Sequence, residues 1–332
     1  MTKLEVAKLG HVALEVPDLE GSLRFWRDIV GLEEVERRAG EVYLRAWGEF
    51  EHHSLILMQS DEARLHHVGW KARRPEDVEA FRDYLRAQGL AVEEVSPGEE
   101  AGQGYAIRFF VPTSGHPFEI YYKMDRPGAP EEKRSRLKNQ VYRAFERGVS
   151  PRRIDHVNLW TGGQDPTPTH RWLEEHMGFK VREYIQLPDL RLGAWMSVTP
   201  LVHDIAVMFD GATQGPRFHH VAYYLDNWQD VLRGLTIFKE HGILPDLGPG
   251  QHGISQAFYS YIRDPASGHL LELFSGGYLI FDPDWEPLEW RPEELVDGLF
   301  WWGDRWDPQT QPNHPFARTT GVRQAREAVP QG

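Results

Sequence analysis

Three residues, His156, His220 and Glu272, have the side-chain types and the placing that a divalent metal ion needs. His156 stands in Arg153-Ile154-Asp155-His156-Val157 and His220 in Arg217-Phe218-His219-His220-Val221, so each directly precedes a Val at the head of a short apolar run. Glu272 closes the run Gly268-His269-Leu270-Leu271-Glu272. Side chains on a strand alternate between faces, so His156 and Asn158 share one face, as do Leu270, Glu272 and Phe274. A carboxylate on an otherwise apolar face costs several kcal/mol unless it finds a partner. Two neutral imidazoles and a carboxylate converging inside a curled sheet form the facial ligand set of non-heme Fe(II), which leaves positions open for other molecules, and the same set serves Mn(II).

Composition narrows the setting. The chain is 40% hydrophobic and 26% charged, as globular proteins are. Its apolar runs are too short and interrupted to span a bilayer. The opening residues, Met1-Thr2-Lys3-Leu4-Glu5, lack the basic and apolar regions of a secretion signal. There is no cysteine, which excludes disulfides and thiolate ligands and leaves metal binding to His, Asp, Glu or Tyr. A formal charge of -13 argues against nucleic acid or an anionic membrane as partner. A cytoplasmic enzyme is expected.

The elements that must position the three residues repeat. Lys8-Leu9-Gly10-His11-Val12 and Arg64-Leu65-His66-His67-Val68 begin as the two segments above do. Helical stretches follow and stop at Gly31, Gly89 and Gly178, where a helix end favours a left-handed residue. Val111-Pro112-Thr113-Ser114-Gly115-His116-Pro117-Phe118-Glu119 matches Asp264-Pro265-Ala266-Ser267-Gly268-His269-Leu270-Leu271-Glu272, each a strand, a tight turn and a strand. His269 recurs as His116 and is expected to serve the turn. The fold expected is α+β, with four β-α-β-β-β repeats paired into two curled sheets, each around a cavity. The pairs are placed at 1–130 and 152–275, joined by a linker helix over 131–151 and followed by a Trp- and Pro-rich tail, 276–332, as a lid or subunit contact.

With these residues in view, the chain resembles the type I extradiol ring-cleaving dioxygenases of the vicinal oxygen chelate superfamily, in the catechol and homoprotocatechuate 2,3-dioxygenase branch. The resemblance covers the length up to the tail. It is carried by Asp155-His156-Val157-Asn158, by Ala194-Trp195-Met196 through Val202-His203-Asp204, by Arg217 to Ala222, and most specifically by Gly248-Pro249-Gly250-Gln251-His252-Gly253 through Tyr261 to Asp264-Pro265. It implies His156, His220 and Glu272 as ligands of Fe(II), with Mn(II) able to take its place. His203 would move protons beside the O2 position, Tyr261 would hold and help deprotonate a catechol oxygen, and His252 would hydrogen-bond the substrate side. Asn158 and Trp195 would line the pocket. It also implies an aromatic diol and O2 as small-molecule partners, and a homo-oligomer, commonly a tetramer. His is the side chain whose pKa suits both giving and taking a proton near neutrality.

The first repeat pair keeps a parallel set, His11, His67 and Glu119, with His53 and Trp47 in the places expected for His203 and Trp195. Counting back from the shared turn puts Phe109 at the place of Tyr261 and Glu100 near that of His252, so this pair is expected not to process substrate. The rival readings are a hydroquinone-cleaving dioxygenase and a non-catalytic binder of the same superfamily. Homoprotocatechuate-cleaving relatives hold a carboxylate with two arginines; here those positions read Leu247 and about Leu299, so catechol or an apolar-substituted catechol is the expected substrate. In the bland alternative Leu247 packs under its loop and Arg263 or a tail arginine supplies the charge.

Overall fold

The computed structural model describes residues 4–211, 215–307, 310, 311 and 313–325. The four His-Val segments open the strands Val6–Val16, Arg64–Ala72, Arg153–Trp160 and Arg217–Leu225. Each leads to a helix: Leu19–Leu23 running on as the π-helical Arg24–Ile29, then Asp77–Ala87, Thr167–Met177 and Trp228–Glu240. Gly178 ends the third helix at φ 82°, a left-handed turn that a β-carbon would strain.

The opening strands of each pair lie antiparallel at the centre of a sheet. Beside Val6–Val16 come Leu55–Gln59, Glu41–Arg45 and Glu33–Arg38, and beside Arg64–Ala72 come Pro117–Tyr121, Ala106–Phe110 and Glu93–Val95. The second sheet repeats this order. Ile205–Met208, Arg191–Ser197 and Lys180–Gln186 flank Arg153–Trp160, while Leu270–Gly276, Ala257–Arg263 and Leu247–Gln251 flank Arg217–Leu225. This is the fold of four paired β-α-β-β-β units.

The expected linker helix is absent. Residues 131–151 hold only a single 3-10 turn, Glu131–Lys133. The apolar residues at 137, 141, 144 and 145 have helical spacing, yet Leu137 and Phe145 stay exposed. The backbone instead pairs across a loop, with Arg134 bridged to Tyr142 and Ser135 N–H donating to Val141 O at 3.1 Å. Tyr142 is buried with Trp47 and Ala129 and lies under the Arg45 guanidinium. Tertiary packing overrides local propensity here.

Buried apolar side chains from both halves form one continuous core. Phe25 stacks on Phe238 at 5.8 Å between centroids, and Trp70 meets Phe179 edge to face at 4.9 Å. The turn histidines clasp the halves reciprocally. His116 Nε2–H donates to Arg217 O at 3.0 Å, and His269 Nε2–H to Glu15 O at 2.9 Å. The tail pairs Leu288–Trp290 and Trp302–Gly303 with opposite edges of the second sheet. It then exchanges both backbone bonds between Thr320 and Phe218 and adds Gly321–Val322 beside Arg64–Ala72 of the first sheet.

Candidate metal centre

The register of the second sheet brings the three ligand candidates together. Glu272 sits opposite Ala222 on one side and Tyr261 on the other, and His220 lies on the strand next to His156. His156 Nε2 and His220 Nε2 approach Glu272 Oε2 to 2.9 and 3.0 Å, and each other to 3.3 Å. Donor atoms about 2.1 Å from one ion and at right angles to each other lie about 3 Å apart, so the spacing is that of a facial set. All three residues are buried.

Hydrogen bonding directs their lone pairs inward. His156 Nδ1–H donates to Asp155 Oδ2 at 3.1 Å. Phe316 O can only accept, so it takes the Nε2 proton of His219 at 2.8 Å, and His219 Nδ1 then accepts from His220 Nδ1–H at 2.7 Å. The Nδ1 protons leave both Nε2 atoms free to face a cation; without one, a second proton on His156 Nε2 faces Glu272 Oε2 at 2.9 Å. Glu272 Oε1 is buried with no hydrogen bond. Burial opposes ionising Glu272, yet the His220 and His156 imidazoles hold its pKa well below the usual range. Burial likewise opposes His156 carrying charge, but Asp155 and Glu272 raise it to about 9. The set draws positive charge, and these residues fit a divalent ion.

Asp155 orients His156 and is itself paired with Arg153 at 2.6 Å. Asp155→Ala is expected to weaken metal binding about 10–100-fold with the fold retained, as loss of a ligand's outer partner does. Competition against a chelator measures it, and an unchanged affinity would remove this role.

Around these three side chains lies a cavity also lined by His203, His252, Tyr261, Asn158 and Trp195. Leu299 O accepts a bond from His252 Nδ1–H, so His252 Nε2 is an acceptor, and Tyr261 O–H donates to it at 3.0 Å. Burial, then Glu272, pushes the Tyr261 pKa well above that of a free phenol. The His203 ring lies 3.9 Å from that of His156 and makes no hydrogen bond with the described residues. Burial, then His156, keeps it neutral.

Leu247 does not line this cavity. It is fully buried behind Tyr261 with Tyr259, Leu270, Phe300 and Phe316, because it pairs with Tyr261 from the neighbouring strand and fills the space beneath it. Leu299 does face in, joined by Trp160, Met208, Ile254, Phe300, Trp306 and Phe316. Three of these belong to the tail, whose residues sequence spacing could not place. Arg263 is engaged elsewhere, by the Asp246 carboxylate at 2.6 Å and the carbonyls of Gly268, Pro315 and Arg318.

In the first sheet His11, His67 and Glu119 also converge, joined by Glu100. Two expected correspondences shift. Opposite Glu119 stands Arg108, as Tyr261 stands opposite Glu272, whereas Phe109 packs in the core. Trp195 pairs with Ala206 as Tyr43 pairs with Ile56, so Tyr43 rather than Trp47 holds the Trp195 place. His53 keeps the place expected of it, with its ring 4.8 Å from that of His11.

Known proteins share this sequence and this fold. Residues 65–124 match the catechol 2,3-dioxygenase-like N-terminal domain, and residues 153–273 the glyoxalase/bleomycin resistance protein/dioxygenase superfamily. A manganese-dependent 2,3-dihydroxybiphenyl 1,2-dioxygenase of Geobacillus genomosp. 3 is 57% identical, over 95% of this chain and 98% of its own. A metapyrocatechase of Geobacillus stearothermophilus is 35% identical over 96% and 94%. The homoprotocatechuate 2,3-dioxygenase of Brevibacterium fuscum, solved with 3,4-dihydroxyphenylacetate, superposes with a TM-score of 0.84 at 29% identity, covering 97% of this chain and 95% of its own. The chain belongs to the extradiol ring-cleaving dioxygenases of that superfamily.

Proposed function

We propose that this enzyme opens the ring of a catechol beside its diol with O2, giving a ring-opened semialdehyde, on one Fe(II) or Mn(II) held by His156, His220 and Glu272. The observation that carries this reading is that the ligand trio, the His252–Tyr261 pair and the unbonded His203 all face one cavity. A non-catalytic binder would need the cup but not this combination. When bound, the ion acidifies the diol and brings diol and O2 to one centre. Tyr261 holds a substrate oxygen and passes its proton to His252 Nε2, and His203 exchanges a proton on the O2 side. Asn158 Oδ1, buried without a partner, offers a further acceptor. The name of the Geobacillus genomosp. 3 relative makes Mn(II) the first ion to test. Anaerobic loading with either ion, then catechol and air, should give yellow product and O2 uptake; an inert loaded enzyme would overturn the reading. A cytoplasmic homotetramer completes it, with mass in solution measured by light scattering.

The substrate is proposed to be catechol or an alkyl- or aryl-catechol. No Lys or Arg lines the cavity among the described residues, and the tail contributes the apolar Leu299, Phe300, Trp306 and Phe316 to its lining. A carboxylate there would lose its water and gain no cation, whereas each buried methylene contributes about 0.8 kcal/mol. A kcat/KM preference of about 100-fold for 4-methylcatechol or 2,3-dihydroxybiphenyl over 3,4-dihydroxyphenylacetate is expected, about 2.8 kcal/mol. A preference for the carboxylate-bearing catechol would sink this assignment.

A further inference from the structure

The cluster in the first sheet has the geometry of a metal site and the wiring of something else. His11 Nε2 lies 3.6 Å from Glu100 Oε2 and 3.5 Å from Glu119 Oε1, and His67 Nε2 lies 3.3 Å from Glu100 Oε1 and 3.7 Å from Glu119 Oε2. One donor atom from each of the four residues lies within 4.8 Å of the others, close enough to share one ion. Glu100 Oε2 is buried in the cluster with no hydrogen-bond partner. Two imidazoles and two carboxylates suit a divalent ion such as Mn(II), Fe(II) or Zn(II).

Two arginines oppose it. Arg108 Nε donates to Glu119 Oε2 at 2.8 Å, and its Nη2 bonds Glu100 Oε1, so one guanidinium bridges both carboxylates. Arg323 acts at a distance. Its Nη1 donates to His66 Nε2 at 3.1 Å, and because an arginine can only donate, that nitrogen is the acceptor. The proton of His66 is therefore on Nδ1, shared with His67 Nδ1 at 2.7 Å, and the proton of His67 is on Nε2. It points into the cluster, 3.0 Å from His11 Nε2, where a ligand would present a lone pair. The matching pair His219–His220 runs the other way, since a carbonyl, Phe316 O, ends it where a guanidinium ends this one.

We propose that the first repeat pair contains a divalent-cation site held shut by two arginines: Arg108 supplies the cluster's positive charge, and Arg323 turns the ring proton of His67 inward. Without Arg108 two buried carboxylates would share no cation, and a divalent ion would neutralise both. This stands apart from which catechol is cleaved, and its test is set in a Glu272→Ala background so that the catalytic site contributes no ion.

Each folded protein is dialysed against Mn(II) and its metal content measured. Glu272→Ala alone is expected to hold no ion per chain, and Glu272→Ala with Arg108→Met and Arg323→Met to hold one. That ion should raise the melting temperature and be lost again on adding Glu119→Gln. An ion in the first protein, or none in the folded triple variant, would overturn the proposal. Should the triple variant not fold, the unaltered enzyme decides. Nitrogen NMR of its histidines, loaded with diamagnetic Zn(II), should find His67 protonated at Nε2 and His220 at Nδ1. A proton on His67 Nδ1 would refute the closing mechanism.

Discussion

Glu272→Ala is expected to give a folded chain that retains no metal and opens no ring. Glu272 Oε2 lies within 3.0 Å of both ligand imidazoles, so its loss leaves two neutral nitrogens and takes away the carboxylate charge between them that would hold a dication. The fold should survive, because the substitution removes a buried carboxylate whose Oε1 has no hydrogen bond. His220→Ala should do the same to the metal, since each removes one of three ligands. Elemental analysis beside circular dichroism of the purified variants checks both. Full occupancy with ring cleavage intact in either would end the assignment of the centre.

His203→Phe should separate metal from turnover. The ring touches His156 without bonding any described group, so an apolar ring of similar shape can take its place beside Phe274, 6.0 Å away. Metal content and catechol binding should stay, while kcat falls about 10–100-fold, the size expected for losing a proton-transfer group. The neutral state of His203 follows from burial and from His156 beside it, so it can take a proton when charge develops nearby. Metal lost in proportion to activity would make His203 a ligand or a structural residue instead.

The centre was legible because its residues stand on repeated strands. His156 and His220 hold the same place in two copies, and strand alternation turns Glu272 to the face they share. Most of what escaped lay where spacing carries no register. Phe109 in place of Arg108 is a miscount, since Tyr261 stands eleven residues before Glu272 as Arg108 does before Glu119, and on a strand one residue is the other face. Trp47 shares the indole of Trp195, but the hydrogen-bonded ladder puts Tyr43 in that place. Leu247 was placed in the pocket on a sequence correspondence alone; the ladder between its strand and that of Tyr261 slips between Leu247 and Gly250, which spacing does not reveal. The linker had the apolar spacing of a helix, but Tyr142 gains more by packing with Trp47 than a lone charged helix could offer. Tail residues such as Phe316 come from a stretch with no repeat to align against, and they reach the site because Thr320 bonds Phe218.

The path of the tail has a consequence for how the enzyme is made. The strands of all four repeats are complete in chain order by Gly276, whereas Phe300 and Phe316, which line the cavity, and Arg323, which ends the His66–His67 relay, emerge from the ribosome afterwards. Domains assemble as they are synthesised, at about 5–20 residues per second, so for several seconds a nascent chain offers both histidine clusters uncapped and the catalytic cup unroofed. A chain stopped between Gly276 and Phe316 would keep His156, His220 and Glu272 and lack the Phe316 carbonyl that keeps the lone pair of His220 facing the ion.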